Sequence, residues 1–271
     1  MCLKDVKPLH LEAILAKKIK SYVQTDGGRE PTEAPMSRAL QHKIINIAKQ
    51  MFLSAEDNGL ISKSPCRKLK ASGSSPRPHK ALTDDQFNEI IEQAEGTRAL
   101  TFVALGLYAG LRREEILGLL WDCVYLDAKT PYLSVRRVVR FEGNRGVLSE
   151  TLKSNAAARD IPLASRLIDL LRIQKQTANS VFVIPAADGK QMSEGMFRTL
   201  WGQLRGRLSF DTTPHCLRHT FITRLCASGM DIKKIQYLAG HATVQMTLNV
   251  YAAVTANRPA DLGESLNRAF K

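Results

Sequence analysis

Two histidines, a cysteine and an arginine fall within the six residues HCLRHT (215–220). Two chemistries suit such a cluster. His215 and His219 are four residues apart and would share a helical face, the spacing with which a helix offers two ligands to zinc. The glutamate that follows the first histidine in zinc-dependent hydrolases is missing. Cys216 stands in its place, and Asp211 is a weak candidate for a third ligand. His215 and Arg218, three apart, also share a face, and this pair suits a phosphate, because a guanidinium donates parallel charge-assisted hydrogen bonds to anionic oxygen. A second arginine bears on the choice. In LYAGLRREEILGL (107–119), Arg112 and Arg113 follow a wholly apolar stretch and a glycine. A guanidinium is costly to bury there unless an anion or carboxylate meets it. Glu115, three residues on, is placed to hold it, although an ordinary Arg–Glu helix pair has the same spacing. Lys153 in LKSNAAARDIPL (152–163) falls in a strand or turn, and LAGHATVQMTLNVYAAV (238–254) carries His241 and, ten residues later, Tyr251. A hairpin lysine is commonly solvated and a tyrosine in an apolar helix commonly packs in the core, so singly neither decides anything.

The elements that must position these residues are mostly helices. Apolar spacing predicts helices over 8–23 and over 37–60, the second carrying Leu40, Ile44, Ile47, Met51 and Phe52 and stopping at Asn58-Gly59, with a loop between them. Residues 62–80, SKSPCRKLKASGSSPRPHK, have linker composition. From Ala81 the texture changes. Thr83 with Gln86 three residues later predicts a capping box opening a helix, and the apolar stretch 99–111 is short enough for a buried core helix. Residues 132–163 read as three strands, YLSVRRVVRF, VLSETLK and RDIPLA, with a turn at EGNRG. Helices then follow over 164–177, 193–208, 215–228, 231–239 and 243–254, with Gly229 and Gly240 at two of their ends. The fold class expected is mainly α: an N-terminal helical domain over 1–70, a basic linker over 71–80, and a mixed α+β domain over 81–271 with a small three-stranded antiparallel sheet and a C-terminal tail.

Composition narrows the function. The 271 residues are enough for two domains, and Lys plus Arg (39) exceed Asp plus Glu (26) by 13. Residues 1–80 hold 15 basic and 7 acidic residues, so the excess is densest in the first third. That asymmetry favours a polyanionic partner, nucleic acid before acidic membrane, because no basic amphipathic helix with aromatic anchors accompanies it. No stretch has the uninterrupted apolar length of a membrane span, and the N-terminus lacks the apolar segment of a signal peptide. Five scattered cysteines without a CxxC pair point to a reducing cytoplasm rather than a disulfide framework. Neither a phosphate-binding GxxxxGK[ST] nor a GxGxxG motif is present.

Taken together, AGLRREEILGL, LKSNAAARDIPL, HCLRHTF and LAGHATVQMTLNVY occur in the order and spacing of the tyrosine recombinases, the phage-integrase family, and the chain resembles that family over nearly its whole length. LAGH stands where LGH is commoner, a departure that leaves the histidine in place. The resemblance implies a core-binding (SAM-like) domain followed by a catalytic domain. It makes Arg112, Lys153, His215, Arg218, His241 and Tyr251 the catalytic set, with Tyr251 the nucleophile and Glu115 and His219 supporting. It implies strand cleavage through a 3′-phosphotyrosine, with no metal or ATP and no cofactor. The partners it implies are double-stranded DNA, a homotetramer on two recombination sites that is monomeric when free, and accessory DNA-bending or excision factors, in a cytoplasmic, nucleoid-associated setting. Rival readings are a type IB topoisomerase-like enzyme without partner exchange, a DNA-binding regulator with an inactive site, and a metallohydrolase built on His215 and His219.

Overall fold

In the computed structural model, residues 2–25, 28–72, 81–151 and 155–255 are described. Lys153, most of the linker and the tail beyond Thr255 lie outside them. The chain divides into two compact units, Met1–Pro78 and His79–Lys271.

The first unit holds helices α1 (Pro8–Leu15) and α2 (Arg38–Asp57) and an antiparallel hairpin of β1 (Lys18–Thr25) and β2 (Gly28–Pro35). The helix expected over 8–23 therefore ends at Leu15. Tyr22, Val23 and Thr25 favour extended backbone, while Gly28, Pro31 and Pro35 exclude a helix on the returning strand. Helix α2 begins at the Ser37 cap, whose hydroxyl accepts the Leu40 N–H, and ends before Asn58-Gly59 as expected. Its buried face differs from the one expected. Gln41, Ile45, Phe52 and Ala55 point inward, whereas Ile47 and Met51 are exposed. The core here is small, built from Leu15, Ile45, Phe52, Cys66 and Leu69, and covers only a narrow stripe of a 20-residue helix. Buried Gln41 ties the ends of the unit together, donating to the Leu15 carbonyl and accepting the Ser72 N–H.

The second unit is helical with small sheets. Helix α3 (Asp84–Ala94) opens with the expected reciprocal cap, Thr83 Oγ1 accepting from the Gln86 N–H and Gln86 Oε1 from the Thr83 N–H. Helix α4 (Leu100–Ala109) is apolar on every side and buried nearly throughout, the situation in which an all-round hydrophobic helix is stable in water. It packs on α8 (Pro214–Ala227), where Leu217 fits the space left by the absent side chain of Gly106. The short α5 (Arg113–Leu117) follows directly.

The antiparallel three-stranded sheet has the order β3 (Val124–Tyr125), β4 (Tyr132–Val135), β7 (Arg159–Pro162). Its membership differs from the expected one. YLSVRRVVRF breaks at Arg136-Arg137, where Arg136 is held by Asp160 and Arg137 by Asp122. The remainder forms β5 (Val138–Glu142), which among the described residues pairs only with β6 (Arg145–Ser149) in a separate hairpin. The five helices expected after the strands are all present: α6 (Ser165–Gln176), α7 (Glu194–Arg205), α8, α9 (Ile232–Ala239) and α10 (Val244–Thr255). One large core centred on α4 underlies them, and a second joins α8, α9 and α10 through Phe221, Ile222, Cys226, Ile235 and Ala239.

Candidate active site

The site grows from the end of α4. Gly110 takes the left-handed conformation that closes this helix, and the chain runs straight into Arg112, the N-cap of α5. Glu115 lies inside α5 at 3% exposure, and its carboxylate reaches back to accept the Arg112 backbone N–H at 2.9 Å and Arg112 Nη1 at 2.7 Å. A carboxylate at a helix N-terminus meets unpaired N–H groups and a favourable dipole. Burial by itself would raise the Glu115 carboxyl, but Arg159 first and then Arg112 outweigh it and hold the group down to about 2.

Arg218 comes from the first half of α8. Leu217 and Phe221 anchor that helix in the two cores, which turns Arg218 inward to 2% exposure. Its Nη1 donates to the Gly110 carbonyl at 2.6 Å and its Nη2 to the Ala239 carbonyl. Burial, then the neighbouring Arg112 and Arg159, push its pKa down to about 9, still cationic at neutral pH.

The C-terminus of α9 organises the arginines. Gly240, left-handed at φ 57°, turns the chain so that the Gln236 and Tyr237 carbonyls are satisfied by the Gly240 and His241 N–H groups. The next three carbonyls each take a different guanidinium. Leu238 O accepts Arg159 Nε at 2.8 Å, Ala239 O accepts Arg218, and Gly240 O accepts Arg112 Nη2 at 2.9 Å. The last carbonyls of a helix lack intrahelical donors and carry the negative end of its dipole, so cations belong there.

His241 follows immediately. It is buried, and its Nδ1 is engaged by Thr247 Oγ1 at 2.9 Å, which leaves Nε2 for another ligand. Burial, then Arg218, Arg112 and Arg159, push its pKa down to about 4, so it stays neutral at ordinary pH. Thr247 and Tyr251 are one turn apart on α10 and share a face. The half-buried Tyr251 ring packs on the cluster of Phe221, Ile222 and Ile235. His215 is exposed at the start of α8, and a cavity of about 340 Å³ is lined by His215, Arg218, Arg112, Arg113, Thr213 and Pro214.

The structure thus brings Arg112, Glu115 and Arg218 together at the end of α9, where His241 is the next residue, and sets His215 on the rim of the cavity that Arg112 and Arg218 line. Tyr251 lies on the helix that holds His241 through Thr247. His219 has its Nδ1 3.4 Å from Thr223 Oγ1, and Arg113 pairs with Glu114 and lies over the Phe141 and Phe197 rings. Asp211, the third ligand a zinc site would need, is bound by Arg205 at 2.8 Å. Among the described residues, no group of three or more His, Cys, Asp or Glu is arranged to hold a metal. No helix of the described residues is long and apolar enough to cross a membrane.

Two residues of this centre escape motif reading: Thr247, and above all Arg159. A signal for Arg159 exists. In a strand, alternate residues share a face, so an inward Ile161 turns Arg159 inward too. Arg112 and Arg159 then share the Glu115 carboxylate while Arg218 is held by carbonyls alone, an arrangement that retains positive charge for an incoming anion.

Comparisons with known proteins identify the family. Residues 80–258 match the family model described as the phage integrase family. The chain belongs to that family. Among curated relatives, a tyrosine recombinase XerC-like protein of Caldanaerobacter subterraneus subsp. tengcongensis is 26% identical over 255 residues, covering 83% of this chain and 65% of the relative. An integrase of Streptomyces ambofaciens is 29% identical over 202 residues, covering 66% and 50%. The chain therefore spans about half to two thirds of the length of these relatives. Among solved structures, the Tn1549 transposon integrase in complex with a circular intermediate DNA matches with a TM-score of 0.78 at 20% identity, over 99% of this chain and 87% of that one. The lambda integrase tetramer bound to a Holliday junction matches with a TM-score of 0.62 at 20% identity, over 89% and 66%. These likenesses establish the fold.

Proposed function

We propose that this chain is a site-specific DNA recombinase that cuts and rejoins duplex DNA through a 3′-phosphotyrosine. The observation that carries the reading is the excess of positive charge: Arg112 and Arg159 share the one Glu115 carboxylate, and Arg218, held by the Gly110 and Ala239 carbonyls, lines with Arg112 a cavity that has His215 at its rim. Such a set of fixed donors suits a phosphoryl transition state, which places extra negative charge on the non-bridging oxygens. Arg112 and Arg218 supply those donors, in the role a metal ion plays elsewhere.

In the proposed reaction, the Tyr251 oxygen attacks the scissile phosphorus and the bond to the 5′-oxygen breaks. Tyrosine has a solution pKa of about 10, so attack needs a base, and His215 accepts its proton. Lys153 protonates the departing 5′-oxygen, and His241 donates to a phosphate oxygen. The products are a 3′-phosphotyrosine and a free 5′-hydroxyl. A 5′-hydroxyl from a second strand reverses the step, so the phosphodiester's energy is conserved and neither ATP nor a metal is required. Glu115 and His219 support the site without reacting.

The first unit acts as the core-binding domain and, with the basic linker, clamps duplex DNA mainly by phosphate contacts. The lambda integrase tetramer on a Holliday junction supports a reading in which four copies act on two sites. Accessory DNA-bending or excision factors and a nucleoid location belong to the same reading.

The test is trapping. A nicked duplex, selected from a randomised pool for tight binding to the wild-type chain, loses the short fragment bearing the 5′-hydroxyl once cut, so the intermediate accumulates. Wild type should give a protein–DNA adduct on denaturing gels, and Tyr251→Phe should bind the duplex but give none. An adduct from Tyr251→Phe, or none from wild type, overturns the proposal.

A further inference from the structure

We infer that Arg159 is a positioning residue of the phosphate site, one that sets both Arg112 and the His241 turn without touching DNA; this rests on the recombinase reading above. Its side chain has no exposure to solvent, so no substrate atom reaches it. Burying a lone cation is costly, and a buried cation is kept only where its bonds are complete. Every nitrogen of Arg159 is bonded. Nη2 and Nη1 donate to the two Glu115 oxygens at 3.0 and 3.2 Å, Nη1 also to the Ala157 carbonyl at 2.9 Å, and Nε to the Leu238 carbonyl at 2.8 Å.

The partners show what this fixation does. The Glu115 oxygens gripped by Arg159 are the same ones that bind the Arg112 backbone and guanidinium. A carboxylate held from one side by a planar fork cannot rotate away from the other, so Arg112 inherits the geometry of Arg159. Leu238 opens the run of carbonyls whose next two members hold Arg218 and Arg112 and whose next residue is His241. The guanidinium also fills the space beside Gly240, where a Cβ would lie 2.8 Å from its Nη1. Arg159 therefore links β7, α5 and the end of α9, and fixes the spacing between the two phosphate-binding arginines. Lysine keeps the charge but has no planar fork and cannot serve the carboxylate and two carbonyls at once.

The test uses the full chain with Arg159→Lys and the nicked duplex described above, made with either an ordinary scissile phosphate or a methylphosphonate, which lacks one non-bridging charge. Single-turnover cleavage at saturating protein is compared with DNA retention on native gels. Arg159→Lys should retain DNA nearly as wild type does, because binding is spread over many phosphate contacts. It should cut the phosphate about 100-fold more slowly, the loss typical of one misplaced transition-state donor. The defect should shrink to less than about tenfold on the methylphosphonate, whose transition state needs less positive charge. A merely structural role would slow both substrates by the same factor, and that result overturns the inference, as does a wild-type rate on phosphate. If Arg159→Lys does not fold, the Glu115→Gln/Arg159→Met double variant removes the fully buried pair, leaving only Arg112, which is 30% exposed and still bonded to the Gly240 carbonyl, and is judged by the same two-substrate ratio. Wild type without an adduct overturns the recombinase reading and this inference with it; wild type that cleaves while the variants cleave equally well overturns this inference alone.

Discussion

Replacing Gly240 by alanine probes the centre through a single methyl group. Two costs follow from the geometry. A residue with a Cβ in the left-handed conformation at φ 57° loses about 1–2 kcal/mol. The new Cβ also lies 2.8 Å from Arg159 Nη1, 3.0 Å from its Cζ and 3.2 Å from the Ala156 carbonyl. An arginine tip ordinarily moves aside, but this one is held by Glu115, Ala157 and Leu238, so the overlap strains the network by about 1–3 kcal/mol, the usual range for overpacking. The combined loss of about 2–5 kcal/mol corresponds to a fall in Tm of roughly 4–20 °C for a unit of this size. Gly229 supplies the control: it is left-handed at φ 77° with nothing within 4 Å of an added Cβ, so Gly229→Ala carries only the backbone cost, about 2–8 °C. Thermal unfolding of both variants by circular dichroism measures the difference. Equal shifts for the two, or a Gly240→Ala variant that melts with wild type, would refute the claim that Arg159 is locked against this turn.

Other outcomes follow from the same centre. His241 has its folded pKa pushed down to about 4, below its unfolded value near 6.5. The unfolded chain therefore binds the extra proton in that window, and stability falls as pH drops from about 6.5 toward 4; His241→Gln should flatten the profile there in denaturant titrations. Glu115, held at about 2, contributes stability that is complete above its unfolded pKa near 4.3 and is lost as pH falls toward 2. Glu115→Ala at neutral pH leaves Arg159 buried without its carboxylate and should cost about 3–5 kcal/mol in chemical denaturation. Adduct formation should be unchanged by EDTA, whereas a metallohydrolase built on His215 and His219 would lose activity.

Much of this centre is legible in the sequence because local rules place it. The spacing of His215 and Arg218 sets them on one face of α8, and the apolar stretch ending at Gly110 forces Arg112 to the start of a helix with Glu115 behind it. Arg159 is obscured because an arginine ahead of a short apolar strand looks solvated unless two remote facts are combined: Ile161 faces the core, and Glu115, buried in α5, needs a cation. The failure over 8–23 is of another kind. Isoleucines and lysines there satisfy a helical period, but Tyr22, Val23 and Thr25 prefer extended backbone, and a hairpin partner supplies the hydrogen bonds. Ile47 and Met51 fit the period of α2 and yet are exposed, because periodicity marks a face but the size of the opposing core sets how much of it is covered. The break at Arg136-Arg137 depends on Asp122 and Asp160, both distant in sequence, so no local pattern announces it.

The central claim is that Tyr251 joins covalently to the 3′ side of a cleaved DNA strand. Its most direct test is mass spectrometry of the trapped adduct after digestion by nuclease and protease. The account predicts a single modified peptide spanning Val244–Thr255, with the nucleotide on the Tyr251 oxygen through a 3′-phosphate. A modification on any other residue, or a 5′ linkage, would contradict it.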